Sequence, residues 1–399
     1  MVKIAVLGYG TVGSGVVEVL KTNQKLISAN AGDEIEVKHV LDLRDFPNDP
    51  IQEKIVHDYS VILNDPEIQI VVEVMGGVNP AYSFVKQALL SGKSVATSNK
   101  ELVAKHGAEL ISIAKQQQIN FFFEASVGGG IPIIRPLQCC LTADEIDEIS
   151  GILNGTTNYV LSEMTFQGSD FEEVLREAQE LGYAERNPQA DVEGFDAGRK
   201  IAILTSLVSG RQVDFEDVYT EGITKISSAD MKYAKKLNCI IKLLARSRRK
   251  DGQTYVMVAP FLIGPKHPLY SVNGVLNAVY VHGNMLGDTM FFGSGAGKLP
   301  TASAVVSDVV EAARHLHDHV EVKWSQEKMP LGKIADYVSR FFVRVKEEDQ
   351  EAACALFGSE ELVDAGIAGE VGLITRAMTE EQFAHLAESV SLLSRIRID

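Results

Sequence analysis

The apolar run VKIAVL at residues 2–7 ends in GYGTVG and passes directly into VVEVLKTNQ, whose apolar residues recur at helical spacing. This order predicts strand, glycine turn and helix. Gly8 permits the tight turn, Gly10 lets the backbone approach a pyrophosphate and Gly13 allows close helix–strand packing, while the helix N-terminus favours an anion. Glycine turns join many strands to helices, so this one gains weight only from the elements that succeed it in the chain.

Those elements alternate between strand and helix: EIEVKHVLD (34–42), IQIVVEVMGG (68–77), PAYSFVKQALLSG, KSVATSNK, ELVAKHGAELISIAKQQQ and INFFFEAS. The alternation predicts a doubly wound, Rossmann-like dinucleotide-binding domain at residues 1–133. An α+β substrate domain is expected at 134–320, with helices to about residue 250, strands at 254–264 and 277–284, and a helix at 301–319 returning to the first domain. After Pro330, SRFFVRVK, EEDQEAACALFG, GEVGLITRAM, TEEQFAHLAESV and SLLSRIRI predict a small regulatory α+β domain at 331–399. The fold class expected for the whole chain is α/β.

A length of 399 residues with 45% hydrophobic content is globular and too long for one core. The net charge of −16 argues against a nucleic-acid surface, and the one basic run, Arg246 to Lys250, reads as a solvated helix end. Four cysteines, including Cys139 and Cys140, lack metal-ligand or disulfide spacing and read as reduced thiols. With no signal-peptide pattern and no apolar run of membrane-spanning length, the expected setting is cytoplasmic, without a membrane.

In open α/β sheets ligands bind beyond the carboxyl ends of the strands. There TSNK presents Lys100, either at the mouth of the cofactor crevice or as an ordinary surface lysine opening a helix. In EASVGGGIP three glycines expose carbonyls that suit a hard monovalent cation, or simply make a flexible turn. In NGTTNY (154–159) Thr156 or Thr157 can cap a helix. FGSGAGKLPT has Phe292 where a P-loop needs glycine and Leu299 where it needs Ser or Thr, which excludes that motif.

The densest cluster is GYAERNPQADVEGFDAGRK (182–200). Pro188 and Gly194 break the chain, so a helix starts near Gly194 or Phe195 and sets Asp196 and Lys200 one turn apart. A surface ion pair has the same spacing. The adjoining IAILTSLV is apolar all round, however, and inward-facing charges need partners or a ligand. Glu185, carried by the loop, would add a second carboxylate to the same pocket. A lysine among carboxylates beside a dinucleotide suits carbonyl reduction, because the oxygen gains negative charge as hydride reaches carbon. The carboxylates suit a substrate bearing an ammonium group.

Taken in order, GYGTVG, TSNK, EASVGGGIPII, GILNGTTNYVL, GYAERNPQADVEGFDAGRK and GSGAGKLPTASAVVSD resemble homoserine dehydrogenase, which interconverts L-homoserine and L-aspartate 4-semialdehyde with NAD(P). The resemblance implies that Lys200 transfers the proton, that Glu185 and Asp196 hold homoserine, and that Asp191 supports the lysine. It implies that Lys100 lies between cofactor and substrate, and that Thr11, Val12, Thr97, Gly182 and Gly297 approach the cofactor. It implies a monovalent cation, Na or K, held chiefly by backbone oxygens of Glu124, Val127, Gly129 and Ile131. It also implies a homodimer formed through the substrate domain. In LDLRDF, Asp42 is available for a ribose 2′-hydroxyl and Arg44 for a 2′-phosphate, which leaves the cofactor open between the two; the resemblance implies NADP, since family members often carry an arginine there, with NAD possible. The last domain resembles an ACT-type domain in element order, but EEDQEAA replaces the usual Pro-Gly, which argues against feedback by threonine. Competing readings are a dehydrogenase for another amino-acid aldehyde and a non-catalytic sensor of dinucleotide and amino acid.

Overall fold

Apart from Lys3, Val2–Leu7 is apolar and buried on both faces, the pattern of a strand covered on both sides, and it lies inside a six-stranded parallel sheet. The computed structural model describes residues 1–359 and 361–399. Across the sheet the strands run Ile55–Val56, Ile35–Leu41, Val2–Leu7, Ile68–Glu73, Ser94–Thr97 and Phe121–Phe122. Leu7 pairs with Leu41 on one side and Glu73 on the other. The strand order therefore reverses at Leu7, and the crevice such a reversal opens lies beyond Leu7 and Glu73.

This sheet belongs to a compact unit of Met1–Asp144, Ala202–Phe215 and Gly293–Met329. Helix Lys298–Arg314 packs in it against helix Thr11–Thr22, so closely that a Cβ on Gly15 would stand 2.8 Å from the Lys298 carbonyl oxygen. The helix expected at 301–319 begins and ends earlier. Pro300 is accommodated in its first turn. Its far end stops where Asn120 Nδ2 takes the carbonyls of His315 and Asp318, at 2.8 and 2.9 Å.

The second unit, Glu145–Ile201, Glu216–Phe292 and Pro330–Asp399, is built on a mixed sheet. Here the sequence expectation of helices to about residue 250 fails. Ile240–Lys250 is a strand, paired antiparallel with Gln253–Ile263 through a turn at Asp251 and Gly252, whose φ values are 51° and 77°. An Asp-Gly pair between two strand-forming runs is a strong hairpin signal, and the basic letters around it masked it. Arg246, expected in solvent, is 1% exposed, 3.2 Å from Glu148, 2.6 Å from Asp399 and 4.6 Å over the Phe261 ring.

Residues 338–398 form a β-α-β-β-α-β sequence of strands Val338–Lys346, Glu361–Val363, Glu370–Ile374 and Leu392–Ile398 with helices Gln350–Phe357 and Glu380–Ala387. In the sheet the fourth strand lies beside the first, the first beside the third and the third beside the second, all antiparallel. Phe341, Val343, Phe357 and Phe383 make its core. Leu392–Ile398 also pairs in parallel with Gln253–Ile263, so this segment continues the sheet of its unit. At that seam Arg397, 1% exposed, binds Glu380 at 2.6 Å and Glu221 at 2.7 Å.

Elsewhere in the unit, Lys242 pins helix Gly155–Gln167 and the loop at Val272: its Nζ donates to Asn158 Oδ1 (2.8 Å), the Val272 carbonyl (2.7 Å) and Asn273 Oδ1 (2.9 Å). These acceptors are neutral, and burial pushes the ammonium down from 10.5 to about 7.

Two stability tests arise from these buried charges. Between pH 7 and 10.5 the unfolded chain holds a proton on Lys242 that the folded chain has released, so this group makes stability rise with pH across that window. Urea unfolding at pH 7 and pH 10 should show that rise, and Lys242→Met should flatten it. Arg397→Met leaves Glu380 and Glu221 short of a buried partner and should cost about 3–5 kcal/mol, with much of it recovered in Arg397→Met/Glu380→Leu. Urea midpoints of the two variants measure both quantities.

Candidate functional site

In the first unit, the Gly8 amide closes the turn by donating to the Leu41 carbonyl at 2.8 Å. A Cβ at Gly13 would sit 1.9 Å from the Gly8 carbonyl oxygen, so only glycine lets the helix start this close to the turn. Gly10 is the opposite case, with no atom within 4 Å of where a Cβ would stand. Gly10 is also the N-cap of helix Thr11–Thr22, and no side chain caps it. Open space above the first-turn amides of Thr11 and Val12 is what a bound pyrophosphate requires, so the residues present fit a dinucleotide.

Asp42 comes directly after the neighbouring strand. Its carboxylate accepts from the Tyr9 amide (2.8 Å) and from Arg44 Nε (2.9 Å) and Nη2 (3.0 Å). The Arg44 guanidinium holds the Asp42 carboxyl well below the usual carboxylate range. Arg44 is itself mostly exposed and lies over Phe46, 5.2 Å from the ring centre.

At the next strand end Glu73, fully buried, accepts from the Met75 amide (2.8 Å) and the Thr97 hydroxyl (2.6 Å), and burial raises its carboxyl. Thr97 Oγ1 accepts in turn from the Asn99 amide at 3.0 Å. Asn99 caps helix Lys100–Gln117 through Leu102 N at 3.1 Å and ties Gly77 at 2.6 Å. Lys100 thus occupies the first helical position, half-buried. A cation there opposes the positive end of the helix dipole, an arrangement that favours a nearby anion. Glu73 and Asn99 were missed in the sequence. The single acid inside the apolar strand IQIVVE was the available signal, since a charge in a buried strand needs a purpose.

The glycine-rich loop is packed into the fold. Glu124, Val127 and Ile131 are buried, and residues 125–128 form a helical turn. A Cβ at Gly129 would stand 2.2 Å from the Gly295 carbonyl oxygen, so the glycine allows backbone to pack on backbone. The Glu124 carboxylate accepts three amides, Ile133, Ile134 and Arg135, at 2.6, 2.7 and 2.7 Å. It is committed to the fold, which leaves backbone oxygens as the donors fit for a cation. Among the described residues no group of three or more His, Cys, Asp or Glu side chains is arranged to hold a metal.

Helix Phe195–Ser209 sets Lys200 one turn after Asp196; both residues belong to the second unit and are buried, 8% and 3% exposed. Lys200 Nζ donates to Asp196 Oδ2 at 2.8 Å and to the Leu153 carbonyl at 2.7 Å. The pair is therefore not a surface ion pair. Asn154 Nδ2 reaches both Asp196 Oδ2 (2.9 Å) and Asp191 Oδ1 (2.7 Å), the latter on the short helix Gln189–Val192 within the span expected to be loop. Asn154, not Thr156 or Thr157, caps helix Gly155–Gln167, and Thr156 Oγ1 donates instead to the Tyr183 carbonyl at 2.6 Å. Glu185 and Gly182 lie outside this buried group on an exposed turn. A lysine held by a carboxylate and a carbonyl can give a proton to, or take one from, an oxygen brought to it.

Residues 8–124 match the family described as homoserine dehydrogenase, NAD binding domain, and residues 132–310 match homoserine dehydrogenase. A homoserine dehydrogenase of Synechocystis sp. is 42% identical over 99% of this chain and 97% of its own length, and one of Bacillus subtilis 36% over 99% and 96%. Among solved structures, a homoserine dehydrogenase from Thiobacillus denitrificans superposes with a TM-score of 0.93 at 35% identity, covering 100% of this chain and 98% of that one. A hyperthermophilic archaeal homoserine dehydrogenase in complex with NADPH superposes at 0.66 and 28% identity, over 78% of this chain and 97% of that one.

Proposed function

The chain belongs to the homoserine dehydrogenase family, and on that premise we propose that Lys200 exchanges the proton at the substrate oxygen, with Asp196 holding it in place. The enzyme is an NAD(P)-dependent oxidoreductase that reduces L-aspartate 4-semialdehyde reversibly to L-homoserine, a step of amino-acid biosynthesis. When bound, the dinucleotide supplies hydride to the aldehyde carbon. The observation that carries the assignment is the buried Lys200–Asp196 pair. As negative charge grows on the aldehyde oxygen, the ammonium stabilises it and then gives up a proton; in reverse the neutral amine takes the hydroxyl proton. Asp191, Asp196 and Glu185 supply negative charge matched to the substrate ammonium, Glu185 from the exposed turn. Lys100 supplies a second positive charge for the substrate's developing or fixed anion.

The first-turn amides of Thr11 and Val12 with Gly8, Gly10 and Gly13 hold the pyrophosphate, and Arg44 reads a 2′-phosphate. NADP is the preferred cofactor on this reading. Its support is the exposed guanidinium of Arg44 and the NADPH bound to the archaeal relative. With NAD, Asp42 accepts the ribose hydroxyl instead. The backbone oxygens of Glu124, Val127, Gly129 and Ile131 take Na or K, a reading supported by the burial of that loop and the engaged Glu124 carboxylate.

A homodimer is supported by the edge strand Gly287–Ser294, which exposes Met290 and Phe292 next to exposed Met285 and Leu286. An ACT-like reading of residues 331–399 is supported by the order in which the strands of 338–398 pair. A cytoplasmic setting is supported by four free cysteines. No helix among the described residues is long and apolar enough to cross a membrane.

Lys200→Ala should abolish turnover of aspartate semialdehyde while the dissociation constant for NADPH stays within about twofold; steady-state rates and cofactor titration measure the two, and near-wild-type turnover would sink the assignment. Arg44→Ala should raise KM for NADPH by about tenfold, the equivalent of about 1.4 kcal/mol, and leave KM for NADH unchanged or lower. Equal effects on the two cofactors would remove Arg44 from 2′-phosphate recognition.

A further inference from the structure

Asn154 stands where strand Ile146–Ile152 gives way to helix Gly155–Gln167, in extended conformation and buried. Its amide is held at both ends. Oδ1 accepts from the Thr157 amide (2.9 Å) and the Thr157 hydroxyl (3.1 Å), which leaves Nδ2 turned away from the helix. The two hydrogens on Nδ2 then go to two carboxylates on two different helices, Asp191 at 2.7 Å and Asp196 at 2.9 Å. The Asp196 oxygen it reaches, Oδ2, is the same one that accepts from Lys200. The residue before it, Leu153, offers its carbonyl to Lys200 directly. The dipeptide Leu153–Asn154 therefore touches both members of the ion pair.

We propose that Asn154 is a positioning residue for the reduction, which sets where Asp196 sits and how firmly Lys200 keeps its proton. The inference rests on the reading of Lys200 as the proton carrier. The physical reason for an amide here is charge. Two carboxylates brought together repel, and a neutral donor that bridges them relieves this without adding a cation to compete with Lys200 for Asp196. By sharing the negative charge of Asp196 Oδ2, the bridge weakens its hold on the ammonium and makes the proton easier to release. An aspartate at this position would cap the helix equally well, yet it would lose both donors and add a third negative charge. Serine would also cap, but it is too short to reach both carboxylates.

The experiment compares Asn154→Ser and Asn154→Asp with the parent enzyme in kcat, in thermal midpoint and in the pH profile of homoserine oxidation, with Lys200→Ala as control. Asn154→Ser should keep the thermal midpoint close to the parent's, because the cap is retained, whereas Asn154→Asp should lower it, because it buries a third carboxylate beside Asp191 and Asp196. In both, kcat should fall about tenfold or more, as expected when a catalytic group is misplaced. The pH at half-maximal oxidation should move upward, and further in Asn154→Asp, because added or unshared negative charge favours the ammonium. In Asn154→Ser a merely structural role would move the midpoint and not the profile. If Lys200→Ala is inactive while Asn154→Ser keeps kcat within about threefold and an unshifted profile, Asn154 is a helix cap and the inference falls alone. If Lys200→Ala still turns over, the reading beneath it falls as well.

Discussion

The second unit is organised around a charge taken out of water. Lys200 is nearly as buried as the apolar helix that carries it, and desolvation of an ammonium and a carboxylate costs several kcal/mol each unless partners replace the water. The replacement comes from one strand end: the Leu153 carbonyl accepts from the lysine and the Asn154 side-chain amide donates to the aspartate. That strand, Ile146–Ile152, is held between Ile240–Lys250 and Leu276–Gly283, so the central sheet fixes the position of the ion pair. The helix after Asn154 is fixed in turn by Lys242, which reaches Asn158 and the loop at Val272.

The first unit solves a different problem with the same economy of groups. A dinucleotide needs amides free at a helix start and room above them, and the turn supplies both because Gly13 lets the helix begin against the Gly8 carbonyl. Polar side chains at the neighbouring strand ends are not left to solvent. Glu73 gathers the Met75 amide and the Thr97 hydroxyl, and through Asn99 this network sets the start of the helix that presents Lys100. Thr97, expected to line the cofactor, has its hydroxyl engaged by Glu73, so its hydroxyl serves to order the crevice wall.

Long basic and acidic side chains carry more of the fold than their letters suggest. The run at Arg246 reads as surface because it continues into the polar letters SRRK, yet in an antiparallel hairpin alternate residues face opposite ways and Arg246 faces a wall containing Glu148, Asp399 and Phe261. Arg397 and Arg344 repeat the pattern, the latter between Asp230 and Glu370 at 2.8 and 2.9 Å. Arg246 with Asp399, Arg397 with Glu221 and Arg344 with Asp230 each join segments more than a hundred residues apart, so no local window of sequence contains both partners.

The sequence by itself determined the features that depend on neighbours along the chain. The alternation of strands and helices in the first 133 residues, the glycine turn, the one-turn spacing of Asp196 and Lys200 and the buried character of IAILTSLV are all local periodicities, and they were legible. Five of the elements after residue 330 were legible for the same reason, whereas the short strand Glu361–Val363 and the pairing of Leu392–Ile398 with Gln253–Ile263 were not. Only the tertiary structure decided that Asn154 bridges Asp191 and Asp196, that the Glu124 carboxylate is engaged by three amides, and that Arg246 is buried. The physical reason is common to all three. A buried polar group takes its role from the partner that replaces its water, and that partner is chosen by the fold.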